Sequence, residues 1–377
     1  MKSVQLYRKP NKEWEFLNES VELKKPLVLV FGNRFFLEKI EVYQELKDIY
    51  PDGHMVIGST SGDITANYVD DIGITATAIE FEKSEFVIKH TNLLKSDLDS
   101  YKTGSDLMKQ FPTENLKSIF IVSEGSFVNG SQLTEGMANQ MDNNVLITGG
   151  LCGDADRFEK TIAGYNQNPI EGEVIAIGLY GETLEVSFSL YGGWTPFGPE
   201  RIVTKSDENV LYELDDKPAL DLYKKYLGDK SKELPGAALF YPLEVTFPGD
   251  DQPVVRTILN KDDKNNGIIL TGDIPENSKV QLMMTNVDNI SNASETAAKE
   301  AASGRSKEAE LAILVSCVGR KLVLDQRVEE EVEEVVNVIG NKPTICGFYS
   351  YGEMAPFKGG NTCKLHNQTI TITLISE

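Results

Sequence analysis

Three short glycine-containing segments carry most of the candidate chemistry in this chain. They read Gly-Ser-Thr-Ser-Gly-Asp at 58–63, Gly-Gly-Leu-Cys-Gly-Asp at 149–154 and Gly-Phe-Tyr-Ser-Tyr-Gly-Glu at 347–353, and each ends in a glycine followed by an acid. Backbone amides in such loops can bind an anion such as a carboxylate or a phosphate. The hydroxyls and acids beside them can orient a ligand or bind its ammonium group. The three segments together predict one binding site for an amphoteric small molecule.

The predicted site draws on all three segments. For any one segment an alternative stays open, because its glycines could simply allow a tight exit from a strand while the acid caps the next element. The threefold repetition favours a shared cleft. The candidate ligand-binding residues in the segments are Ser59, Thr60, Ser61, Gly62, Asp63, Gly149, Gly150, Cys152, Gly153, Asp154, Tyr349, Ser350, Tyr351, Gly352 and Glu353.

Two residues leave other chemistries open. His366 follows the third segment and could be an axial haem ligand or a hydrogen-bonding partner of a ligand, or could simply satisfy the backbone at the start of a strand. Cys152 could act as a nucleophile if a cation such as Arg157 lowered its pKa. No histidine lies near Cys152 in the sequence, so a packing or lining role is favoured for it.

Several other functions are disfavoured by composition and by missing motifs. With 37 Lys plus Arg against 58 Asp plus Glu, the formal charge is −21, and no basic cluster offers a nucleic-acid surface. Neither a phosphate-binding lysine nor a dinucleotide fingerprint follows a strand. A three-histidine zinc site would need all 3 histidines, two of which lie in predicted strands. We expect no metal, and no cofactor apart from the haem alternative.

The same order of predicted elements precedes each glycine segment. An apolar strand is followed by a helix with one apolar face and then by a second strand that runs into the loop, which predicts βαβ crossovers and parallel strand pairs. Ligands of such sheets bind beyond the carboxyl ends of the strands, where the three loops are expected. The predicted strand pairs are 27–31 with 54–57, 119–122 with 145–148, and 312–315 with 344–346.

In two further regions between the repeated units, apolar residues alternate with polar ones or form apolar runs on either side of a turn. Residues 72–79 with 86–90, and 174–180 with 184–190, predict antiparallel hairpins and hence mixed sheets. Aspartate-rich stretches near 206–216 predict a join between domains. We therefore expect an α/β protein of two domains, with mixed β-sheets flanked by helices; an N-terminal extension at 1–24 precedes domains at 25–205 and 206–377.

Two helical segments have strongly biased compositions. The glutamates at 329–331, 333 and 334 alternate with valines and predict a solvated helix face. The alanine-rich segment 292–303 predicts a helix whose small face packs against a sheet.

The cellular location is expected to be the cytoplasm. Residues 1–16 are polar and aromatic without a following apolar stretch, and the longest apolar runs are too short to cross a bilayer. The 4 cysteines contain no Cys-x-x-Cys pair, which favours reduced thiols.

Several of these motifs together resemble the FIST proteins, which pair a FIST N and a FIST C domain. The resemblance rests on the segments at 58–64 and 149–154, on Ser316-Cys-Val-Gly-Arg320, and above all on 347–353 with the ending Leu365-His-Asn-Gln-Thr369. It covers nearly the whole chain from about residue 25. We add Arg320, as an anion partner, and His366 and Asn367 to the candidate site.

The resemblance implies a sensory module for signal transduction that recognises a small molecule such as an amino acid. It further implies a separate signalling partner, such as a kinase, a cyclase or a chemoreceptor. Some family members are haem proteins that sense nitric oxide, so a haem sensor using His366 is the first alternative. An enzyme with Cys152, Ser350 or an acid pair as catalyst is the second, although we expect no enzyme.

Overall fold

The computed structural model describes residues 1–65, 68–141, 144–357, 359–360 and 362–377. Within these ranges the strands are β1 Lys2–Arg8, β2 Glu15–Phe16, β3 Leu27–Gly32, β4 His54–Ser59, β5 Asp63–Thr65, β6 Tyr68–Asp70, β7 Ile74–Glu80, β8 Glu85–Asn92, β9 Leu116–Ser123, β10 Leu146–Leu151, β11 Ala163–Tyr165, β12 Glu173–Tyr180, β13 Glu185–Tyr191, β14 Thr195–Asp207, β15 Val210–Leu214, β16 Lys217–Pro218, β17 Leu243–Thr246, β18 Val254–Arg256, β19 Ile258–Asp262, β20 Gly267–Leu270, β21 Lys279–Met284, β22 Leu311–Cys317, β23 Thr344–Ser350, β24 Gly352–Pro356, β25 Cys363–His366 and β26 Ile370–Ser376.

The helices of the described residues lie mainly after the first strand of each parallel pair. Asparagine or aspartate caps four of them at the N-terminus, where a side-chain oxygen accepts a backbone N–H. In the described ranges we find no helix long and apolar enough to cross a membrane. The α-helices are α1 Arg34–Leu37, α2 Val42–Ile49, α3 Ser100–Met108, α4 Gly130–Ala138, α5 Ala219–Leu227, α6 Val287–Ala302, α7 Val318–Leu324 and α8 Glu329–Ile339.

Three six-stranded sheets have the same arrangement of strands. We call these three sheets together the ring. Each contains one parallel pair, β3–β4, β9–β10 or β22–β23, as the repeated units predict. An antiparallel strand, β7, β12 or β26, lies on the other side of the first strand of each pair. The prediction of mixed sheets flanked by helices is confirmed.

The strand after each glycine loop crosses into a neighbouring sheet. From the first loop the chain enters β5, which pairs with β23, and from the third loop it enters β24, which pairs with β10. Beyond the second loop, β11 pairs with β4. Each of the three units therefore completes the sheet of another unit, in a cyclic exchange.

The two predicted hairpins are wrong in their pairing. β7 lies between β1 and β3, and β8 joins a different sheet by pairing with β12. β12 lies between β8 and β9, while β13 pairs with β26. In each case both edges of the first strand are already occupied, so its neighbour in sequence must pair elsewhere. The turns between them carry the chain from one sheet to the next.

The central core of the ring is formed by all three sheets. Leu29 and Phe31 of β3 point into this core, and the Phe31 ring lies 4.6 Å from that of Phe348, centroid to centroid. Val28 and Val30 point to the opposite face, where they pack with α1 and α2. Because successive side chains of a strand point to opposite faces, strands buried on both faces read as continuous apolar runs rather than as alternating ones.

A separate unit is inserted between β13 and α6. Its eight strands, in the order β18-β17-β21-β14-β15-β20-β19 with β16 on β15, surround a hydrophobic cluster of their own together with α5. Residue 205, the predicted domain boundary, lies inside β14. We refer to residues 195–284 as the inserted unit.

The two helices with biased compositions differ in outcome. The alanine-rich segment is confirmed as a helix, and Ala297, Ala298 and Ala301 of α6 are buried. The solvated glutamate face is wrong for Glu331, which is 0% exposed. Glu331 shares the inward face of α8 with Val335, one helical turn later, and it forms an ion pair with Arg320 at 2.5 Å.

Gly149 provides a test of the strand packing within the ring. Its φ is +144°, and a Cβ atom there would lie 2.2 Å from the carbonyl oxygen of Ile121 in the neighbouring strand. We expect Gly149→Ala to lower the free energy of unfolding, measured by urea denaturation, by at least about 2 kcal/mol. The control is Gly304→Ala, at φ +73° with open space around the new Cβ, which should cost about 1 kcal/mol. Equal losses in the two variants would contradict the tight approach.

Candidate functional site

The three glycine loops meet at one end of the ring. The Ser61 N–H donates to the Tyr349 carbonyl at 2.9 Å, and the Tyr349 N–H donates to the Gly62 carbonyl at 2.8 Å. The Gly153 N–H donates to the Ser59 carbonyl at 2.9 Å. We call residues 59–63, 149–154 and 349–353 the loop junction. The structure thus brings together the three segments that the sequence singles out.

The loop junction is closed to solvent. All fifteen of its predicted ligand-binding residues are buried. Several of the loop amides that were candidates for holding an anion already donate to carbonyls of the other loops. A ligand could reach these groups only if the junction opened, and direct binding by them stays a prediction.

Two of the three loop acids are held by a hydroxyl three residues earlier. The Thr60 hydroxyl donates to Asp63 Oδ1 at 2.5 Å, and the Ser350 hydroxyl donates to Glu353 Oε1 at 2.5 Å. Glu353 Oε2 also accepts the Thr369 backbone N–H at 3.2 Å. These repeated contacts tie each acid to its own loop.

Burial sets the ionisation of these two acids. It raises the pKa of Asp63 well above its ordinary value, although the Thr60 hydrogen bond opposes the shift. Burial also raises the pKa of Glu353 to about 8, against the opposing effect of its hydrogen bonds. At Glu353 the neutral carboxyl is therefore favoured at physiological pH, and a neutral carboxyl attracts an ammonium group only weakly.

Asp154 differs from the other two loop acids. Its Oδ1 lies 3.0 Å from Arg34 Nε and 2.6 Å from Arg157 Nη2. Both guanidinium groups also lie over the ring of Phe35, 4.0 and 4.8 Å from its centroid. Arg157, the cation considered for activating Cys152, is therefore engaged by Asp154.

The Cys152 thiol does not have the properties of a nucleophile. It is 1% exposed and packs in the central core of the ring. Burial raises the pKa of Cys152 above its ordinary value, and the negative charge of Glu124 raises it further. Since the thiolate is the reactive form, the structure favours the packing role.

Arg320 is engaged by protein groups. Besides its ion pair with Glu331, it donates to the Ile290 carbonyl at 3.1 Å and to the Ser294 hydroxyl at 2.7 Å. It also donates to the carbonyl of Gly192, at the connection to the inserted unit. An anion would have to replace one of these partners.

His366 and Asn367 lie between the loop junction and the inserted unit. His366 is 2% exposed, its Nε2 is 2.9 Å from the Ala355 carbonyl oxygen, and burial lowers its pKa to about 4. The His366 imidazole is therefore neutral at physiological pH. Asn367 Oδ1 accepts the Thr271 hydroxyl of the inserted unit at 2.6 Å.

Residues 365–369, which we call the linking segment, connect the loop junction with the inserted unit. The Arg256 guanidinium donates to the Leu365 carbonyl at 3.1 Å, and Gln368 Nε2 donates to the Leu239 carbonyl at 3.3 Å. At its other end, the Thr369 hydroxyl donates to Glu353 Oε2 at 2.9 Å. Five consecutive residues thus join the two parts of the molecule.

A cavity of about 560 Å³ lies where the inserted unit faces α4 and β25. We call it the interdomain cavity. Pockets for small ligands commonly have 300–1,000 Å³, so this volume suits a metabolite. Its lining consists of Ser131, Thr134, Glu135, Ala138, Asn139, Phe247, Pro248, Asp250, Arg256, Asp273, Pro275, Thr362, Cys363, Lys364 and Leu365.

This cavity could not be predicted from the sequence, because its walls come from distant segments. A local signal did exist for Arg256, which follows Val254 by two residues in a short apolar strand and therefore shares its buried face. A charged residue at an inward strand position is unusual enough to mark a candidate site.

The raised pKa of Glu353 gives a testable pH dependence. Because its pKa rises from about 4.5 to about 8 on folding, the folded protein holds a proton that the unfolded chain loses between these values, so stability falls as the pH rises through this window. Glu353→Gln imitates the protonated acid, so we expect a flatter profile and, at pH about 8, a gain of about 4 kcal/mol in the free energy of unfolding. Urea denaturation from about pH 5 to about pH 8 measures it. Exposed Glu333→Gln should keep the original slope, and equal slopes in all three proteins would contradict the assignment.

Comparison with known families agrees with the resemblance. The model described as FIST N domain matches residues 26–217, and the model described as FIST C domain matches residues 219–356. A search of curated proteins found no match. FIST domains occur in sensor proteins of signal transduction and are not an enzyme family. Since the two matches cover most of the sequence, the chain belongs to the FIST family.

Proposed function

We propose that this protein is a cytoplasmic sensor that binds an amino acid or a similar small metabolite in the interdomain cavity. The observation that carries the proposal is the cavity itself, which has walls from both the ring and the inserted unit. Membership of a sensory family supports ligand binding in general. The cavity adds a place for the ligand that differs from the closed loop junction.

The lining of the interdomain cavity suits an amphoteric ligand. Phe247 and Leu365 provide apolar surface, while Ser131 and Thr134 provide hydroxyls. Charges of both signs are present, as in Lys364 and its partner Asp250 at 3.1 Å. Nine of the fifteen lining residues are polar or charged, so the cavity offers many groups that can fix the orientation of a polar ligand.

A ligand in this cavity would contact two parts of the molecule at once. It would stabilise the arrangement in which the inserted unit lies against α4 and β25, and so shift the population toward that state. If the ligand binds this arrangement more favourably than an open one by about 1–3 kcal/mol in binding free energy, the difference gives a useful switch. The linking segment supports communication with the loop junction, because it contacts Arg256 at one end and Glu353 at the other.

The response would be read by a separate signalling protein, for which a kinase, a cyclase or a chemoreceptor stays our expectation. We propose no nucleic acid or membrane as a partner. The net charge of −21 disfavours binding to phosphate-rich surfaces.

We propose no haem for this chain, because the residues around His366 do not fit one. Its Nε2 already bonds with the Ala355 carbonyl, and its ring packs edge-on against Phe357 with centroids 4.9 Å apart. The other ring nitrogen, Nδ1, would need open space for a porphyrin in front of it, and a side chain that is 2% exposed offers none. A Soret band on haem addition that is lost in His366→Ala would overturn this conclusion.

Ligand binding can be tested by blocking the cavity. In a thermal-shift and calorimetry screen against the twenty L-amino acids and the corresponding keto and hydroxy acids, we expect at least one compound to stabilise the protein. A ligand concentration of about 100 times Kd should raise the free energy of unfolding by about 2.7 kcal/mol. Ala138→Trp, which places an indole in the cavity, should abolish that stabilisation.

The matched control is Ala302→Trp. Ala302 also ends a helix but lines a different groove, of about 710 Å³, near the end of α8. This variant should bind the compound with unchanged affinity. If no compound stabilises the protein, or if Ala302→Trp loses binding while Ala138→Trp keeps it, the proposed site is wrong.

A further inference from the structure

Arg256 is the most unusual side chain in the wall of the interdomain cavity. It is 1% exposed and, with Arg320, heads the fully buried side chains by volume. Arg320 has Glu331 as counter-ion at 2.5 Å. By contrast, Arg256 forms no ion pair with a carboxylate in the ranges that the structure describes, and its hydrogen bonds go to neutral groups only.

The hydrogen bonds of Arg256 leave its guanidinium incompletely satisfied. Nε donates to the Asp273 carbonyl at 3.2 Å, and Nη1 donates to the carbonyls of Leu365 at 3.1 Å and Val255 at 3.4 Å. Nη2 has a single long contact, 3.4 Å to the Ser131 hydroxyl. A guanidinium has five N–H donors. Four acceptors therefore leave one Nη2 donor without a described partner.

Burial opposes the charge of Arg256, and the Phe247 ring, whose centroid lies 5.4 Å from the guanidinium carbon, offsets this only in part. Burial lowers the pKa of Arg256 to about 10, and the carboxylate of Asp273 opposes that shift without pairing with the guanidinium. A buried charge without a counter-ion destabilises a fold unless some other group compensates it. A ligand that supplies the missing negative charge would be such a group, and the cavity beside Arg256 has room for one. Because Arg256 is buried, the ligand would reach Nη2 by displacing the Ser131 hydroxyl, whose bond is long at 3.4 Å.

We propose that Arg256 anchors a carboxylate of the ligand in the interdomain cavity, so that the sensed compound is a carboxylic acid, with Phe247 and Leu365 against its apolar part. This rests on the proposed function and names the ligand class for the same site. A carboxylate pairs well with a guanidinium because two oxygens can accept two of its N–H groups.

A singly charged carboxylate fits the cavity better than a phosphate. Lys364 is already neutralised by Asp250, and the lining also contains Glu135 and Asp273. The cavity lining thus contains one unpaired guanidinium together with several acids. A dianionic phosphate would meet more repulsion there than a single carboxylate would.

The test measures Kd by calorimetry for the twenty L-amino acids, for the same amino acids as C-terminal amides, and for inorganic phosphate. For the amino acid that binds best, we expect its amide to bind the unaltered protein at least tenfold more weakly. Arg256→Met should weaken binding of the acid by at least the same factor, and Arg256→Lys by less. Arg305→Met is the matched control, since Arg305 also bonds only neutral groups but lines the groove near α8.

A second readout separates this role from a purely structural one. In Arg256→Met, removal of a buried charge without a counter-ion offsets the loss of its hydrogen bonds to the Leu365 and Asp273 carbonyls, so without ligand the variant should be about as stable in urea as the unaltered protein. The inference would be overturned if that variant lost much stability while the acid and its amide bound equally well to the unaltered protein. Arg256 would then serve only to stabilise the fold. The amide comparison needs no variant, so the inference is tested even if Arg256→Met does not fold.

Three other outcomes are also decisive. If amides bind as tightly as acids, or Arg256→Met keeps the affinity for acids, the cavity remains a ligand site but the carboxylate anchor is wrong. If phosphate binds more tightly than any acid and depends on Arg256, the choice of carboxylate is wrong. If no compound binds the unaltered protein, the proposed function fails together with the inference.

Discussion

Hydrogen bonds between three glycine loops hold the ring together, because each loop passes its chain from one sheet into another. β5 completes the sheet of β23, β24 completes that of β10, and β11 completes that of β4. Backbones can approach this closely only where side chains are absent, and a Cβ on Gly153 would lie 2.3 Å from the Ser61 hydroxyl oxygen. The glycines of the motif therefore serve the exchange of strands first. Packing of the helices against the outer faces follows from this arrangement.

This constraint explains why the residues with the most suggestive chemistry are buried. Hydroxyls and acids at a crossing of three chains find partners in one another, as in the contact between Ser350 and Glu353. The inserted unit lies outside that constraint. It meets the ring through a smaller set of contacts, among them those of Thr271 with Asn367 and of Leu239 with Gln368. The interdomain cavity lies at this boundary.

The sequence was a good guide to the local elements and to the meeting of the three loops. Repeated order revealed the parallel pairs, and their runs such as Leu27–Gly32 matched strands buried on both faces. Pairing between sheets was not predictable, because the choice between a hairpin and a crossing depends on which strand edges are already occupied. The role of Glu331 was missed because an ion pair with Arg320, eleven positions away, leaves no periodic signal. The interdomain cavity was missed because Arg256, Ser131 and Leu365 meet only in the folded chain.

The cyclic exchange of strands also bears on how this chain folds. β10 begins at Leu146, but the strand that covers its edge begins at Gly352, more than two hundred residues later. Contacts that join distant parts of a sequence slow folding, because a long loop must be ordered before they form. Until β24 is in place, β10 presents an unpaired edge next to apolar residues, and such edges invite association with other chains. The segment that matches the FIST N domain is therefore a poor candidate for independent folding, and the two FIST segments are better regarded as one cooperative unit.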